Sequence, residues 1–348
     1  MRKFLFVLSL SLFCLFSFGQ NTKILFIGNS YTEVNNLPLL IKNVSNSVGH
    51  DIEYESNTPG GFTFQNHVSG SSSYIQQGGW DYVVLQEQSQ LPSFPDNQFN
   101  NECYPYAQQL CTMVREYNQD AKIIFYMTWG RKYGDNQNCQ YFLPLCTYEG
   151  MDSLLYLRYM IMAQDNHTLV SPVGKVWHFI RDNNPEIELY QSDNSHPSLA
   201  GSYAAACCFN TIIFHDDPNS ISYNPGLDNQ QIDVIKNAVK RVVFDSLEKW
   251  SFVLSDDSLA IGTYVKNDVH IFPNPANHSL QVSFKDNLSE PISVSIFDMF
   301  GKEIRCYEDI LTSSFVLNIS DLTPGYYMLR VTNRNNAVIC NSKFIKVE

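Results

Sequence analysis

Gly28-Asn29-Ser30-Tyr31 follows directly on the apolar run Ile24-Leu25-Phe26-Ile27, so a serine hydroxyl stands where a strand breaks into a sharp turn. Far downstream, Asp193-Asn194-Ser195-His196-Pro197 sets a carboxylate three residues before an imidazole, and Pro197 can occupy the first position of a following helix. At that spacing Asp193 can hold one ring nitrogen of His196 while the other faces Ser30, which supplies an orienter, a base and a nucleophile. The chemistry is acyl transfer to water. Taken alone, Ser30 has a plainer role as a helix cap; the pairing with Asp193 and His196 is what points to catalysis. The other histidines, at 50, 67, 167, 178, 215, 270 and 278, have no acidic residue three positions before them.

Such side chains need a scaffold that brings a strand end and a distant turn together. Between Lys23 and about Trp250, short apolar runs alternate with helical patterns, the sign of a parallel sheet with helices on both faces. Five runs read as strands: Lys23 to Ile27, Ile52 to Glu55, Tyr82 to Leu85, Lys122 to Met127 and Leu169 to Val173. Leu37, Leu40, Ile41, Val44 and Val48 mark one helix face, and further helices are expected near 102–117, 151–165, 198–214 and 228–249. The fold class is α/β, a three-layer, flavodoxin-like parallel sheet of about five strands, with Ser30 just beyond the carboxyl end of the first.

Nucleophile turn, glycines and acid/base turn together resemble the SGNH hydrolases, also called the GDSL esterase and lipase superfamily, over roughly residues 23–214. The usual Gly-Asp-Ser is here Gly28-Asn29-Ser30, and the Asp-x-x-His block is intact as Asp193 to His196. The resemblance implies an oxyanion hole with three donors, each worth ~3 to 4 kcal/mol when removed. The first is the backbone amide of Ser30. The second is a glycine amide in Pro59-Gly60-Gly61, with Gly61 favoured over Gly60. For the third the family uses a Gly-x-Asn-Asp block, whereas this chain reads Leu85-Gln86-Glu87-Gln88-Ser89-Gln90, so the amide of Gln86 or Gln88 is expected to substitute. No metal or organic cofactor is implied.

After Trp250 the composition changes. Residues 251–267 read as a linker, and residues 268–348 as a small antiparallel β-sandwich built from His270 to Phe272, Leu280 to Phe284, Ile292 to Phe297, Phe315 to Ile319, Tyr326 to Thr332 and Lys343 to Val347. Three boxes stand in order: Ile271-Phe272-Pro273-Asn274-Pro275-Ala276, Ile296 to Lys302, and Leu322-Thr323-Pro324-Gly325-Tyr326-Tyr327. They resemble the sorting domain read by the type IX secretion system, which implies passage across the outer membrane with that machinery as partner. Residues 1–19 read as a signal peptide: Arg2 and Lys3, an apolar core from Phe4 to Phe18, then small residues for cleavage. The expected location is secreted or cell-surface, with no transmembrane anchor in the mature chain.

The formal charge of −12 becomes −14 once Arg2 and Lys3 are gone, and no basic patch suggests a nucleic-acid partner. Disulfides are permitted outside a reducing compartment: Cys139 and Cys146 flank a Pro144 loop they could close, while Cys207 and Cys208 read as buried thiols. Trp80, Trp129, Tyr133, Tyr141 and Trp177 fall near strand ends or loops, where core packing is the plainer role of each. The Asn-, Gln- and Tyr-rich loop from Gly130 to Tyr148 is the better substrate wall. The sequence therefore reads as a serine esterase of the 21–250 region acting on O-acyl, most readily O-acetyl, groups of carbohydrates, with lipid esters, thioesters or glycan binding without cleavage as alternatives.

Overall fold

A computed structural model of the chain describes residues 21–253, 269–284, 288, 290–298, 302–334 and 338–347. The expected signal peptide, most of the linker and residues 299–301 of the second sorting box lie outside the described residues.

Five parallel strands form the first sheet: β1 (Thr22–Ile27), β2 (Ile52–Asn57), β3 (Tyr82–Leu85), β4 (Lys122–Tyr126) and β5 (Leu169–Ser171), in the order β2-β1-β3-β4-β5. All five match runs read from the sequence: β1, β3, β4 and β5 are mostly apolar, as parallel strands covered on both faces must be, whereas the edge strand β2 buries only Ile52. Adjacent side chains on β4 show the two faces. Phe125 meets Phe64 and Tyr159 on one side, while Tyr126 turns to Phe209 on the other.

The helices follow as α1 (Ser30–Glu33), α2 (Leu37–Asn46), α3 (Phe64–Gly70), α4 (Ser72–Gln76), α5 (Asp96–Gln98), α6 (Tyr104–Tyr117), α7 (Tyr148–Asp165), α8 (Val173–Asn183), α9 (Leu199–Phe214) and α10 (Asn229–Val242). Helices α3, α6 and α7 cover the Phe125 face, and α9, flanked by α2, α8 and α10, covers the other. Every residue of α9 from Ala200 to Ile213 is buried, Cys207 and Cys208 included, as expected of a helix with no polar stripe.

The expected fifth strand, Leu169 to Val173, stops at Ser171: Pro172 carries no N–H for the ladder and starts α8 instead. Gly174 then lets α8 approach closely, since a Cβ there would lie 2.2 Å from the Thr128 carbonyl oxygen. The expected helix at 228–249 is α10 followed by a looser 3-10 segment, Phe244–Trp250, broken at Ser246.

Downstream of the first sheet, β6 (Val269–Phe272), β7 (Ser279–Phe284), β8 (Ile292–Phe297), β9 (Glu303–Ile310), β10 (Ser314–Asn318), β11 (Gly325–Asn333) and β12 (Val338–Lys346) form two antiparallel sheets, β10-β7-β6 and β12-β11-β8-β9. Alternate residues of β7, β8 and β11 enclose a second core that includes Leu280, Val282, Val294, Ile296, Leu329, Val331 and Phe344. Strand β9 was not among the expected runs. It is an edge strand, Glu-Ile-Arg-Cys-Tyr-Glu-Asp-Ile, with no fully buried residue and therefore no apolar alternation to read. Among the described residues no helix is long and apolar enough to cross a membrane.

Candidate active site

β1 ends at Ile27, and the turn that follows is fixed by side chains from β3 and α1. A Cβ on Gly28 would lie 2.7 Å from both Gln86 Oε1 and Thr32 Oγ1, so no larger residue fits. Asn29 caps α1. Its Oδ1 accepts from the Tyr31 amide at 3.2 Å, and its Nδ2 donates to the Phe62 carbonyl at 2.9 Å. An aspartate could make the first bond but not the second, which ties the nucleophile turn to the loop holding Gly60 and Gly61. Ser30 is the first residue of α1, so its N–H has no acceptor within the helix.

The carboxylate and imidazole come from the turn before α9. Asp193 Oδ1 accepts from the amides of Ser195 and His196, each at 3.0 Å, and Oδ2 accepts from His196 Nδ1. That assignment puts the proton on Nδ1 and leaves Nε2 to accept from Ser30 Oγ at 2.8 Å. The three side chains expected to act together thus form one row of hydrogen bonds. Burial pushes the Asp193 carboxyl up, but the bonds from His196 and from the two amides more than offset this and hold it below its ordinary value. Pro197 is not the first helical residue: Ser198 is the cap, bonded to the Gly201 amide, and α9 starts at Leu199.

Three groups hold this turn against α1. Asn35 Nδ2 donates to the carbonyls of Pro197 and Ser198, both at 3.1 Å, and to Ser202 Oγ at 2.9 Å. Trp129 Nε1 donates to the Ser195 carbonyl at 3.1 Å. Tyr31 bonds Ser195 Oγ at 2.7 Å and sets its ring edge-on to His196. Trp129 is stacked between Tyr31 and Trp177. Trp129 and Trp177 are therefore buried supports beneath the site, and Trp80 is likewise buried, bonded to the Tyr74 carbonyl.

The glutamines expected to complete an oxyanion hole have other partners. Gln86 is fully buried; its Oε1 accepts from the Asn29 amide at 3.0 Å and from Thr32 Oγ1 at 2.9 Å, while its Nε2 donates to Asn29 Oδ1 at 3.0 Å and to the Glu87 carbonyl. Gln88 Nε2 donates to Gln90 Oε1, and its Oε1 accepts from the amides of Gln90 and Leu91. Gln86 has both of its Nε2 hydrogens engaged within the fold and shapes the Ser30 turn, while Gln88 gives one to Gln90 and folds its own loop. Gly60 and Gly61 remain open and exposed, with nothing within 4 Å of a notional Cβ, and Gly61 has φ of 73°.

Sequence reasoning passed over two residues here. His67, fully buried on α3, donates from Nε2 to the Gly28 carbonyl at 2.8 Å and takes the Ser71 hydroxyl on Nδ1 at 2.7 Å. Burial pulls its imidazole down to about 4, against the Gly28 bond, so it is neutral. Glu87, also fully buried, accepts from the amides of Phe64 at 2.9 Å and Gln88 at 2.6 Å. The Gln-Glu dipeptide after β3 was the available clue to Glu87; nothing in the residues around His67 marks it.

The loop from Gly130 borders the His196 turn, since the Lys132 amide donates to the Asn194 carbonyl at 3.0 Å. The buried carboxylate of Asp135 organises it, accepting from Gln90, Asn138 and the Gln137 amide and pairing with Arg131. Cys139 and Cys146 form a disulfide across it. Tyr133 and Tyr141 on this loop are exposed, 62% and 80% respectively, unlike the tryptophans. Among the described residues no His, Cys, Asp and Glu group has the makings of a metal site.

Residues 270–347 match the family described as a secretion system C-terminal sorting domain. No curated relative matches the chain. Among solved structures it is similar to a DUF4886 family protein from Bacteroides uniformis, at 15% identity and a TM-score of 0.56, covering 69% of this chain and 99% of that one. It is also similar to a lipase/acylhydrolase from Enterococcus faecalis, with 16% identity, TM-score 0.42 and 55% and 95% of the two chains covered. An acetylxylan esterase from Geobacillus stearothermophilus gives 16% identity and TM-score 0.42 over 59% and 96%. At 15% identity the likeness to the DUF4886 family protein establishes the fold of the α/β domain alone, and the family match places a sorting domain after it.

Proposed function

We propose that this protein is an exported serine esterase in which Ser30 attacks an ester carbonyl. The observation that carries the reading is the 2.8 Å contact between Ser30 Oγ and His196 Nε2, with Asp193 on the opposite ring nitrogen. In the first half-reaction His196 Nε2 takes the hydroxyl proton as Oγ bonds to the carbonyl carbon, and the carbonyl electrons move onto oxygen. Collapse of that intermediate breaks the bond to the alcohol, which leaves with the proton from His196. Water then repeats the sequence on the acyl-serine and releases the acid. Asp193 keeps the proton on Nδ1 and faces the imidazolium as it forms.

The N–H of Ser30 and that of Gly61 are the donors offered to the oxyanion, the side chain of Gln86 being fully engaged in the nucleophile turn. The loop from Gly130 that borders the His196 turn carries the exposed Tyr133 and Tyr141, whose flat faces are available to a sugar ring. O-acetyl groups on a carbohydrate are the substrate this supports, outside the cell, with the carboxyl-terminal domain addressing the chain to the type IX machinery. The engaged glutamines also support a second reading, a glycan-binding protein with little turnover.

Acetate release from a panel of acetylated polysaccharides, followed by NMR alongside p-nitrophenyl acetate hydrolysis, tests these readings. Esterase action predicts release that Ser30→Ala lowers by at least three orders of magnitude. Equal rates for Ser30→Ala and the parent chain would exclude it, and glycan binding without release would establish the second reading.

A further inference from the structure

We propose that Glu87, as the uncharged acid, is a positioning residue that holds the Gly60–Gly61 loop in place against Ser30; the inference rests on the esterase reading above. Glu87 directly follows Gln86 at the end of β3, so one dipeptide reaches both halves of the site. Gln86 grips the Ser30 turn through Asn29 and Thr32. Glu87 Oε1 takes the Phe64 amide, the first of α3, two residues beyond Phe62, whose carbonyl in turn holds Asn29. The loop bearing Gly60 and Gly61 is thereby fixed at its far end by Glu87 and at Phe62 by the nucleophile turn.

The surroundings favour the neutral acid. The carboxyl is fully enclosed, and Oε2 has no hydrogen-bond partner among the described residues, with the Cys103 thiol as its polar neighbour. Burial pushes Glu87 up to about 8, against the amide bonds from Gln88 and Phe64. The other titratable groups around it do not change charge in that range. Burial raises the Cys103 thiol on the segment before α6 and the Tyr159 hydroxyl on α7, while Arg158 on α7 remains a cation. On α3, His67 is neutral above about 4. Ionisation therefore places one uncompensated charge behind the glycine loop, and the loop must shift to let water reach it.

The test follows the full-length protein from pH 6 to 9.5. Selective carbon-13 labelling reads the Glu87 carboxyl, and nitrogen-15 shifts read the Gly61 amide. The carboxyl is expected to titrate with a midpoint near 8, and the Gly61 amide to follow it in the parent chain but not in Glu87→Gln. On p-nitrophenyl acetate, kcat falls about tenfold per pH unit beyond the midpoint while KM holds. Glu87→Gln, which keeps the acceptor and the shape, loses that alkaline limb; Glu87→Leu lowers kcat at every pH. A carboxyl midpoint below 6, a Gly61 amide indifferent to it, or superimposable profiles for the parent and Glu87→Gln would each overturn the proposal. A parent chain inactive at all pH values, with Gly61 still tracking Glu87, would instead remove the esterase reading and leave the clamp standing.

Discussion

Asp193 and His196 lie in one turn, three residues apart, so their mutual geometry is a local property that the chain writes directly. Ser30 needed only a strand end, which the run Ile24 to Ile27 supplies. The glutamines were harder to place because a residue type gives the number of donors but not their partners: Gln86 and Gln88 have the right chemistry, and the fold engages it elsewhere. His67 lacks any local mark, yet it holds the Gly28 carbonyl immediately before the nucleophile turn. Its depressed value makes a prediction with a definite sign. Between 6.5 and about 4 the unfolded chain binds a proton on this imidazole that the native state refuses, so stability present above 6.5 is lost as the pH falls through that window. Glu87 acts oppositely, its native state holding a proton from 4.5 up to about 8 that the unfolded chain releases, so the two overlap and the wild-type curve alone does not separate them. The comparison with His67→Gln does. The difference in unfolding free energy between the two proteins, from urea titrations, should shrink as the pH drops from 7 to 4. A constant difference would mean that His67 is protonated in the native state.

At the scale of elements, strands were more legible than helices. A doubly covered parallel strand is a short apolar run, whereas α3 and α4 bury few side chains and carry Gln, Asn and Ser between them. Helix α8 was concealed by Pro172, because Leu169-Val170-Ser171-Pro172-Val173 reads as one continuous strand until the proline's missing donor is counted. The loop from Gly130 shows how a segment without regular structure can still be rigid. Asp135 takes bonds from three directions, and Gly134, at φ 78°, sits where a Cβ would lie 2.5 Å from the Leu145 carbonyl. The Cys139–Cys146 bridge closes a loop of separation seven, and chain entropy assigns such a closure about 2–3 kcal/mol. Replacing both cysteines by serine is expected to lower the free energy of unfolding by that amount, measured by denaturant titration under oxidising conditions. An unchanged value would indicate that Asp135 alone keeps the loop folded.

At the scale of the molecule, the buried apolar residues among those described fall into two clusters, one running from Ile24 to Trp250 and the other from Ala276 to Phe344. Composition anticipated the division because the periodicity of the residues changes after Trp250, from alternating strand and helix patterns to short alternating runs. Trp250 itself belongs to the first cluster, its indole donating to the Val242 carbonyl at 2.9 Å, and just beyond it Phe252 still packs against that cluster and donates its amide to the Thr168 carbonyl. The two parts meet where Tyr326 donates its hydroxyl to Asp96 at 2.8 Å, beside the Arg158–Asp96 pair. Lys343 faces Asp96 and Asp165 at the same contact, and polar contacts of this kind contribute about 1 kcal/mol each, small against a core that spans the five-stranded sheet. A chain ending at Val253 should therefore fold, melt within a few degrees of the full-length protein's first transition, and keep its kcat on p-nitrophenyl acetate, since Ser30, Asp193, His196, Gly61 and Glu87 all precede that point. Calorimetry and kinetics on the truncated chain decide the matter. If the shortened protein aggregates, or loses turnover while the full chain has it, then the β-domain is part of the fold that residues 21–253 need.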